Sequence, residues 1–429
     1  MKKIKLPYYK GFVELEIGDK NIKAILENKL HKLNEKIDID KQKQLVIDSL
    51  NNPKGTGTLR DLATGKNRIL VITSDHTRGV PSKITLPILL KEMRTYNHSA
   101  DITILIATGL HRETTLDEQV EMFGKDIVEN EKIAVHDAFD NKVNQYVCKL
   151  PSGASFSVNK LALESDLIVC EGFIEPHFFA GFSGGRKSIL PGISSAVTVN
   201  ENHSALAVGH MKSKSGIIHG NVIHEDMVFA SRKVGVGFIL NVALNSRKEI
   251  IASFAGDVLE AHESGCSYVN DISMVSAVTG DIVITTNGGY PLDQNLYQCP
   301  KAASTAEVCA GESGVIILIA SLVDGAGGEY FEKLMLEGTP DVIFKKIMAI
   351  PPKETIPEQW SAQVFSQIML KHKIILVSDF FSHETIKKMN MIPASTPEEA
   401  LQIAYSIKGK DADVVVIPDG VSVIAVKQK

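Results

Sequence analysis

The 429-residue sequence predicts an α/β fold: two doubly wound α/β domains, with parallel or mixed sheets and an interdomain cleft where an active site belongs. Three observations carry this. Seven short runs rich in Ile and Val recur along the chain, each closed by polar residues or glycine. Segments with helical spacing lie between them. The length, at about 100–200 residues per domain, fits two domains or at most three.

Taken in order, Tyr8–Ile17 alternates as an edge strand or hairpin does. The apolar runs follow at Arg68–Thr73, Ile102–Ala107, Asp166–Cys170, Asp281–Thr285, Val315–Ile319, Lys373–Val377 and Asp413–Ile417. Uninterrupted runs of this kind suit strands buried on both faces, as in a parallel sheet covered by helices. Pro87 opens a helical pattern, with Ile88, Leu89, Glu92 and Met93 at helical spacing and the proline in the first turn. Pro397–Ile407 reads as a second helix. No Pro/Gly/Ser-rich linker divides the chain. A helix is expected to end near Gly265–Asp271 and Ser273–Ile284 to open another sheet, so the domains are set at residues 1–270 and 271–429.

Composition excludes several functions. With 46 Lys+Arg against 51 Asp+Glu the net charge is −5, and no basic stripe for nucleic acid is expected. A hydrophobic share of 44% with 23% charged residues belongs to a chain with a sizeable core, not a disordered one. The longest apolar stretch, Val315–Val323, is broken by Ser321 and falls short of the ~18–20 residues of a membrane span. Met1–Pro7 is basic but has no apolar run behind it, so no signal peptide is read. Five cysteines, odd in number and without Cys-x-x-Cys spacing, read as reduced thiols of a cytoplasmic protein.

In open α/β sheets ligands bind at the carboxyl ends of strands. The segments that follow the runs are Ser74–Gly79, Thr108–Arg112, Glu171–Ser188 and Asn287–Lys301, and they concentrate arginine, histidine, lysine and glycine. A polar or anionic ligand between two domains would require such groups. Gly181–Ser188 invites a P-loop reading, but only three residues separate Gly181 from Gly185, and Arg186 intrudes before Lys187. The glycines remain able to offer backbone N–H groups to another phosphate. Among thirteen histidines, His203, His210, His219 and His224 crowd one segment without the His-Glu-x-x-His pattern of a zinc helix. His76, His210, His219 and His224 read as ordinary turn, surface or core residues. His111 and His177, at separate strand ends of one cleft, are placed to give or take a proton near neutral pH.

Five motifs in fixed order give these loops a resemblance. Asp75–Arg78, Ala107–His111, Glu175–Lys187, Asn200–His203 and Tyr297–Lys301 are similar to those of the lactate racemase family, the nickel-pincer enzymes, over essentially the whole chain. The resemblance implies pyridinium-3,5-bisthiocarboxylic acid mononucleotide, the nickel-pincer nucleotide, joined as a thioamide to Lys187 and holding nickel by one carbon and two sulfurs. His203 is then the fourth ligand, and Asp75, Ser183, Gly184, Gly185 and Arg186 surround the cofactor. Imidazole and sulfur suit nickel, and planar geometry is typical of Ni(II). Outside this motif Lys187 is an ordinary loop lysine.

The implied reaction is racemisation of a small 2-hydroxy acid, lactate first, with malate or a longer acid as the alternative. Hydride removal from C2 avoids a poorly stabilised carbanion and passes through a planar 2-oxo acid. Two bases, His111 and His177, take the hydroxyl proton on opposite sides. Arg78 grips the carboxylate, oriented by Asp75, while Tyr297, Gln298 and Lys301 close over the substrate and Trp360 walls the pocket. Other proteins are expected to make the cofactor and insert nickel. Two further readings stand beside this one: a metal-dependent hydrolase built on His203–His224, and a non-catalytic 2-hydroxy-acid sensor.

Overall fold

The structure, a computed structural model, describes residues 1–29 and 36–427. All seven apolar runs are strands, and their burial explains their lack of alternation: Ile282–Ile284, Val315–Ile319 and Val414–Ile417 are wholly buried. One six-stranded sheet orders Ile250–Gly256, Val236–Leu244, Leu167–Phe173, Arg68–Ser74, Asp101–Ala107 and Lys132–Val135. It is parallel except for the antiparallel edge Ile250–Gly256. The second six-stranded sheet orders Ile392–Ala394, Lys373–Val377, Ala310–Ile319, Gly280–Thr286, Val414–Ile417 and Ile22–Ile25, parallel throughout. Helices cover both faces of the first sheet. On the second sheet, helices cover one face, while helix Pro397–Lys408 and an N-terminal hairpin cover the other.

That hairpin corrects the division into residues 1–270 and 271–429. Lys2–Tyr8 pairs with Gly11–Ile17; the alternation predicted over Tyr8–Ile17 buries Leu15 and Ile17 on the second sheet, and Ile4 and Leu6, ahead of the predicted segment, join them. Ile22–Ile25 then joins the same sheet beside Val414–Ile417. The first unit therefore receives the chain only after this N-terminal stretch. At its other end, helix Glu260–Ser273 runs straight through the expected break, and Met274–Ser276 pairs with Ile424–Val426. The helix around Pro87 also differs from expectation. It begins at Ser82, so the proline lies inside it and not in its first turn. Among the described residues, no helix is long and apolar enough to cross a membrane.

Candidate active site

The strand ends converge on a cavity of about 450 Å³ between the two units. From the first come Asp75, Arg78, His111, His177, Ser183, Gly184, Lys187 and His203; from the second, Tyr297, Gln298, Lys301 and Trp360. Local folding accounts for each placement. Pro176–His177 pairs with Gly181–Phe182 in a tight hairpin that carries His177, and Gly185–Ser188 is a single 3₁₀ turn that carries Lys187. His203 ends helix Ala196–Asn202, whose start Ser195 caps by accepting from Thr198 N–H. Lys301 lies in the first turn of helix Pro300–Cys309 and Trp360 in that of Gln359–Met369. Gly184 has φ 75°, and a Cβ there would lie 2.9 Å from the Phe173 carbonyl oxygen, so glycine is required.

Two predicted contacts are corrected. Asp75 does not orient Arg78 directly. Its Oδ2 lies 2.6 Å from His111 Nδ1, and its Oδ1 accepts from the Thr77 hydroxyl at 2.7 Å and backbone N–H at 3.2 Å. Arg78 Nη1 donates to Thr77 Oγ1 at 2.8 Å, so Thr77 stands between the two. Burial pushes the Asp75 carboxyl up, but the neighbouring His111 ring, with Arg78 and the Thr77 hydrogen bonds behind it, outweighs burial and holds it well below the usual range.

The second correction concerns Gly185 and Arg186, which do not line the cavity. Arg186 is fully buried and turns into the core. Its guanidinium donates to the carbonyls of Ala180 at 2.9 Å and of Ser183 and Gly184 at 3.1 Å each. It also reaches His224 Nδ1 at 3.1 Å and His262 Nε2 at 2.9 Å. No described carboxylate pairs with it, and burial lowers its pKa to about 10. Gly185 N–H donates to Asn241 Oδ1 at 2.7 Å. Both residues shape the loop from behind.

The cavity is electropositive. Burial, then Arg186, Arg78 and Lys301, lowers the Lys187 amine well below its ordinary value, and burial brings Lys301 down to about 8. His177 is pushed well down by burial, then by Lys187 and Lys301. His203 falls to about 3 through burial and then Lys187. Its Nδ1 is buried without a hydrogen-bond partner. Lys187 Nζ lies 5.9 Å from the centre of the Phe179 ring and the His203 ring 5.1 Å from it, so both face one aromatic wall. Trp360 closes the other side, its ring centre 5.0 Å from that of His203 and its Nε1–H donating to Tyr297 Oη at 2.7 Å.

The hydrolase cluster does not form. His203 faces the cavity whereas His224 is bound to Arg186 behind it, and no described group of three His, Cys, Asp or Glu side chains could hold a metal. Sequence reasoning missed Glu358, a cavity-lining carboxylate in left-handed conformation (φ 67°) whose Oε2 accepts from Phe331 N–H at 3.0 Å. It stands in an irregular segment with no motif to mark it.

Comparison with known proteins agrees over the full length. Residues 8–216 match the family model of the lactate racemase N-terminal domain and residues 275–425 that of the C-terminal domain. The chain is 47% identical over 427 residues to a lactate racemase of Thermoanaerobacterium thermosaccharolyticum, covering 99% of each chain. It is 45% identical over 425 residues to a lactate racemase of Lactiplantibacillus plantarum, covering 99% of this chain and 100% of the other. The solved structure of the T. thermosaccharolyticum lactate racemase apoprotein superposes with a TM-score of 0.95 at 46% identity, over 99% of this chain and 100% of that one. A protein from Thermotoga maritima, 19% identical with a TM-score of 0.65 over 90% of this chain and 97% of its own, shares the fold.

Proposed function

This chain belongs to the lactate racemase family of isomerases, and on that footing we propose that it interconverts the enantiomers of a small 2-hydroxy acid, lactate before malate or longer acids. The observation that carries the reading is the meeting of His111 and His177, from separate strand ends, with Arg78, Lys187 and Lys301 in one cavity. Lactate is favoured because two relatives carry that name. Membership of an isomerase family leaves no support for a non-catalytic sensor.

Arg78 pairs with the substrate carboxylate, its fork matching two oxygens. His111 and His177 handle the hydroxyl proton on opposite sides, since the two enantiomers present that hydroxyl in opposite directions. Tyr297, Gln298, Lys301 and Trp360 close the cavity from the second unit and exclude water. The residues fit the family cofactor: Lys187 offers a buried amine whose charged form burial disfavours, suited to the thioamide, and His203 a buried imidazole nitrogen with no hydrogen-bond partner for nickel. When bound, the nickel-pincer nucleotide supplies a reversible acceptor for the C2 hydrogen as hydride. Ser183 and Gly184, on the cavity wall, are placed to contact it. Its synthesis and nickel insertion fall to other proteins, and the five free thiols suit a reducing cytoplasm.

The test is direct. Chain loaded with cofactor by its maturation proteins, given one lactate enantiomer, should yield an equal mixture by chiral chromatography. Absence of the second enantiomer with lactate, but its appearance with another 2-hydroxy acid, would shift the substrate; absence with all would overturn the reading.

A further inference from the structure

We infer that the two cavity histidines rest in opposite tautomers, His111 turning a bare ring nitrogen to the substrate and His177 an N–H, and that Asp75 is the positioning residue that sets the first. The inference deepens the racemase reading and rests on it for its consequence, though not for its geometry. His111 Nδ1 lies 2.6 Å from Asp75 Oδ2, and Asp75 is only 1% exposed. An ionised carboxylate only accepts, so the ring hydrogen sits on Nδ1 and a neutral His111 presents the lone pair of Nε2. Asp75 cannot swing away, because Thr77 donates to its Oδ1 twice, at 2.7 and 3.2 Å.

His177 is held the other way. Within the hairpin Pro176–Phe182, the Ala180 backbone N–H donates to His177 Nδ1 at 3.3 Å. A backbone N–H only donates, so Nδ1 is the bare nitrogen and the hydrogen of the neutral ring is on Nε2. Phe178 stacks on the ring at 5.1 Å and Phe179 meets it edge-on at 4.6 Å, which fixes its plane. Burial and the neighbouring lysines keep this ring neutral, so it does not gain a second hydrogen at rest.

The consequence is an enantiomer-selective first turnover. A substrate hydroxyl facing His111 meets an acceptor: its O–H bond breaks, a bond from the proton to Nε2 forms, and the new imidazolium is neutralised by Asp75. A hydroxyl facing His177 meets a donor and receives only a hydrogen bond. Its proton has no acceptor there until the ring hydrogen moves from Nε2 to Nδ1, which breaks the Ala180 N–H bond.

Nitrogen-15 NMR of histidine-labelled apo chain reads the tautomers directly, with His111→Gln and His177→Gln variants assigning the two rings. The expected result is Nδ1–H at His111 and Nε2–H at His177; the same tautomer in both overturns the inference. Asp75→Asn sharpens the test. Its carbonyl oxygen must take the place of Oδ1 to satisfy Thr77, which turns its N–H₂ toward His111 and drives the ring to Nε2–H. In rapid-quench single turnover of the loaded enzyme, enzyme-bound 2-oxo acid should form at least ~10²-fold faster from one enantiomer than from the other. Asp75→Asn should slow that fast enantiomer by up to the ~10⁴-fold that a wrong tautomer costs a Ser-His-Asp triad. The slow enantiomer, whose hydroxyl faces His177, should lose far less, so that the ratio between the two enantiomers collapses. Equal first turnovers in a chain that does racemise would sink the inference and spare the racemase reading. A chain that racemises nothing would sink that reading, while the NMR spectrum still decides the tautomers.

Discussion

Arg186 and Lys187 are adjacent in sequence and opposed in space: the guanidinium is buried in the core and the amine faces the cavity. Their roles separate accordingly. With Lys187 as the attachment point, the intact mass of loaded protein should exceed the sequence mass, and Lys187→Ala should show no adduct. Lys187→Arg should fail as well, because a guanidinium is not an acyl-accepting amine. An adduct that survives either change would remove Lys187 from this role. His203, with its buried unpartnered Nδ1, should be needed for metal retention. His203→Ala should lower nickel content, measured by plasma mass spectrometry, by about 10–100-fold while the Lys187 adduct persists. Wild-type nickel content would contradict the assignment. The sequence motifs pointed to both residues. They did not reveal that Asp75 bonds His111 instead of Arg78, because which partner a buried carboxylate meets is settled by rotamers and by Thr77 between them.

At the scale of elements, the site depends on how short loops are fixed at strand ends. The loop Ala180–Gly184 has little regular structure, and Arg186 ties three of its carbonyls from the core side. Replacing Arg186 with Met leaves the Ala180 carbonyl buried and unpaired, at about 1–3 kcal/mol before relaxation, while Gly184 keeps the Lys187 N–H at 3.1 Å and Ser183 keeps His262 Nε2 at 2.9 Å. Urea unfolding should therefore lose about 1–3 kcal/mol, and a wild-type unfolding curve would show that the strap is dispensable. The strands were legible because burial on both faces leaves a continuous Ile/Val signature, and the loops because they follow those strands. Arg186 was not, since a guanidinium bound to carbonyls leaves no charge pattern in the sequence. The N-terminal hairpin was legible as a hairpin, from its alternation, but not as a part of the second sheet. Pairing with Val414–Ile417 is a contact across nearly the whole chain, and local periodicity is silent about it.

For the whole molecule, the first unit is enclosed in sequence by the two parts of the second, with the cavity where the two meet. Seven histidines, His76, His136, His177, His203, His224, His262 and His372, are pushed below their ordinary range, chiefly by burial. Unfolded, each takes a proton below about pH 6.5, whereas the folded forms of His203 and His224 wait until about 3. The unfolded chain then binds more protons, so stability falls as pH drops below about 6.5, by up to ~1.4 kcal/mol per pH unit for each group. Glu171 and Glu358, raised by burial, act with the opposite sign, two groups against seven. The urea midpoint of the apo chain should drop between about pH 7 and pH 5.5, and an unchanged midpoint would contradict the neutral burial of these rings. On the proposed reaction the C2 hydrogen is moved within the cavity while only the hydroxyl proton passes through histidine. Lactate of one hand, deuterated at C2, tests it on the loaded enzyme in ordinary water, with the product read by mass spectrometry and chiral separation. The opposite enantiomer should appear with its deuterium retained; the opposite enantiomer appearing with hydrogen at C2, in step with racemisation, would contradict the account.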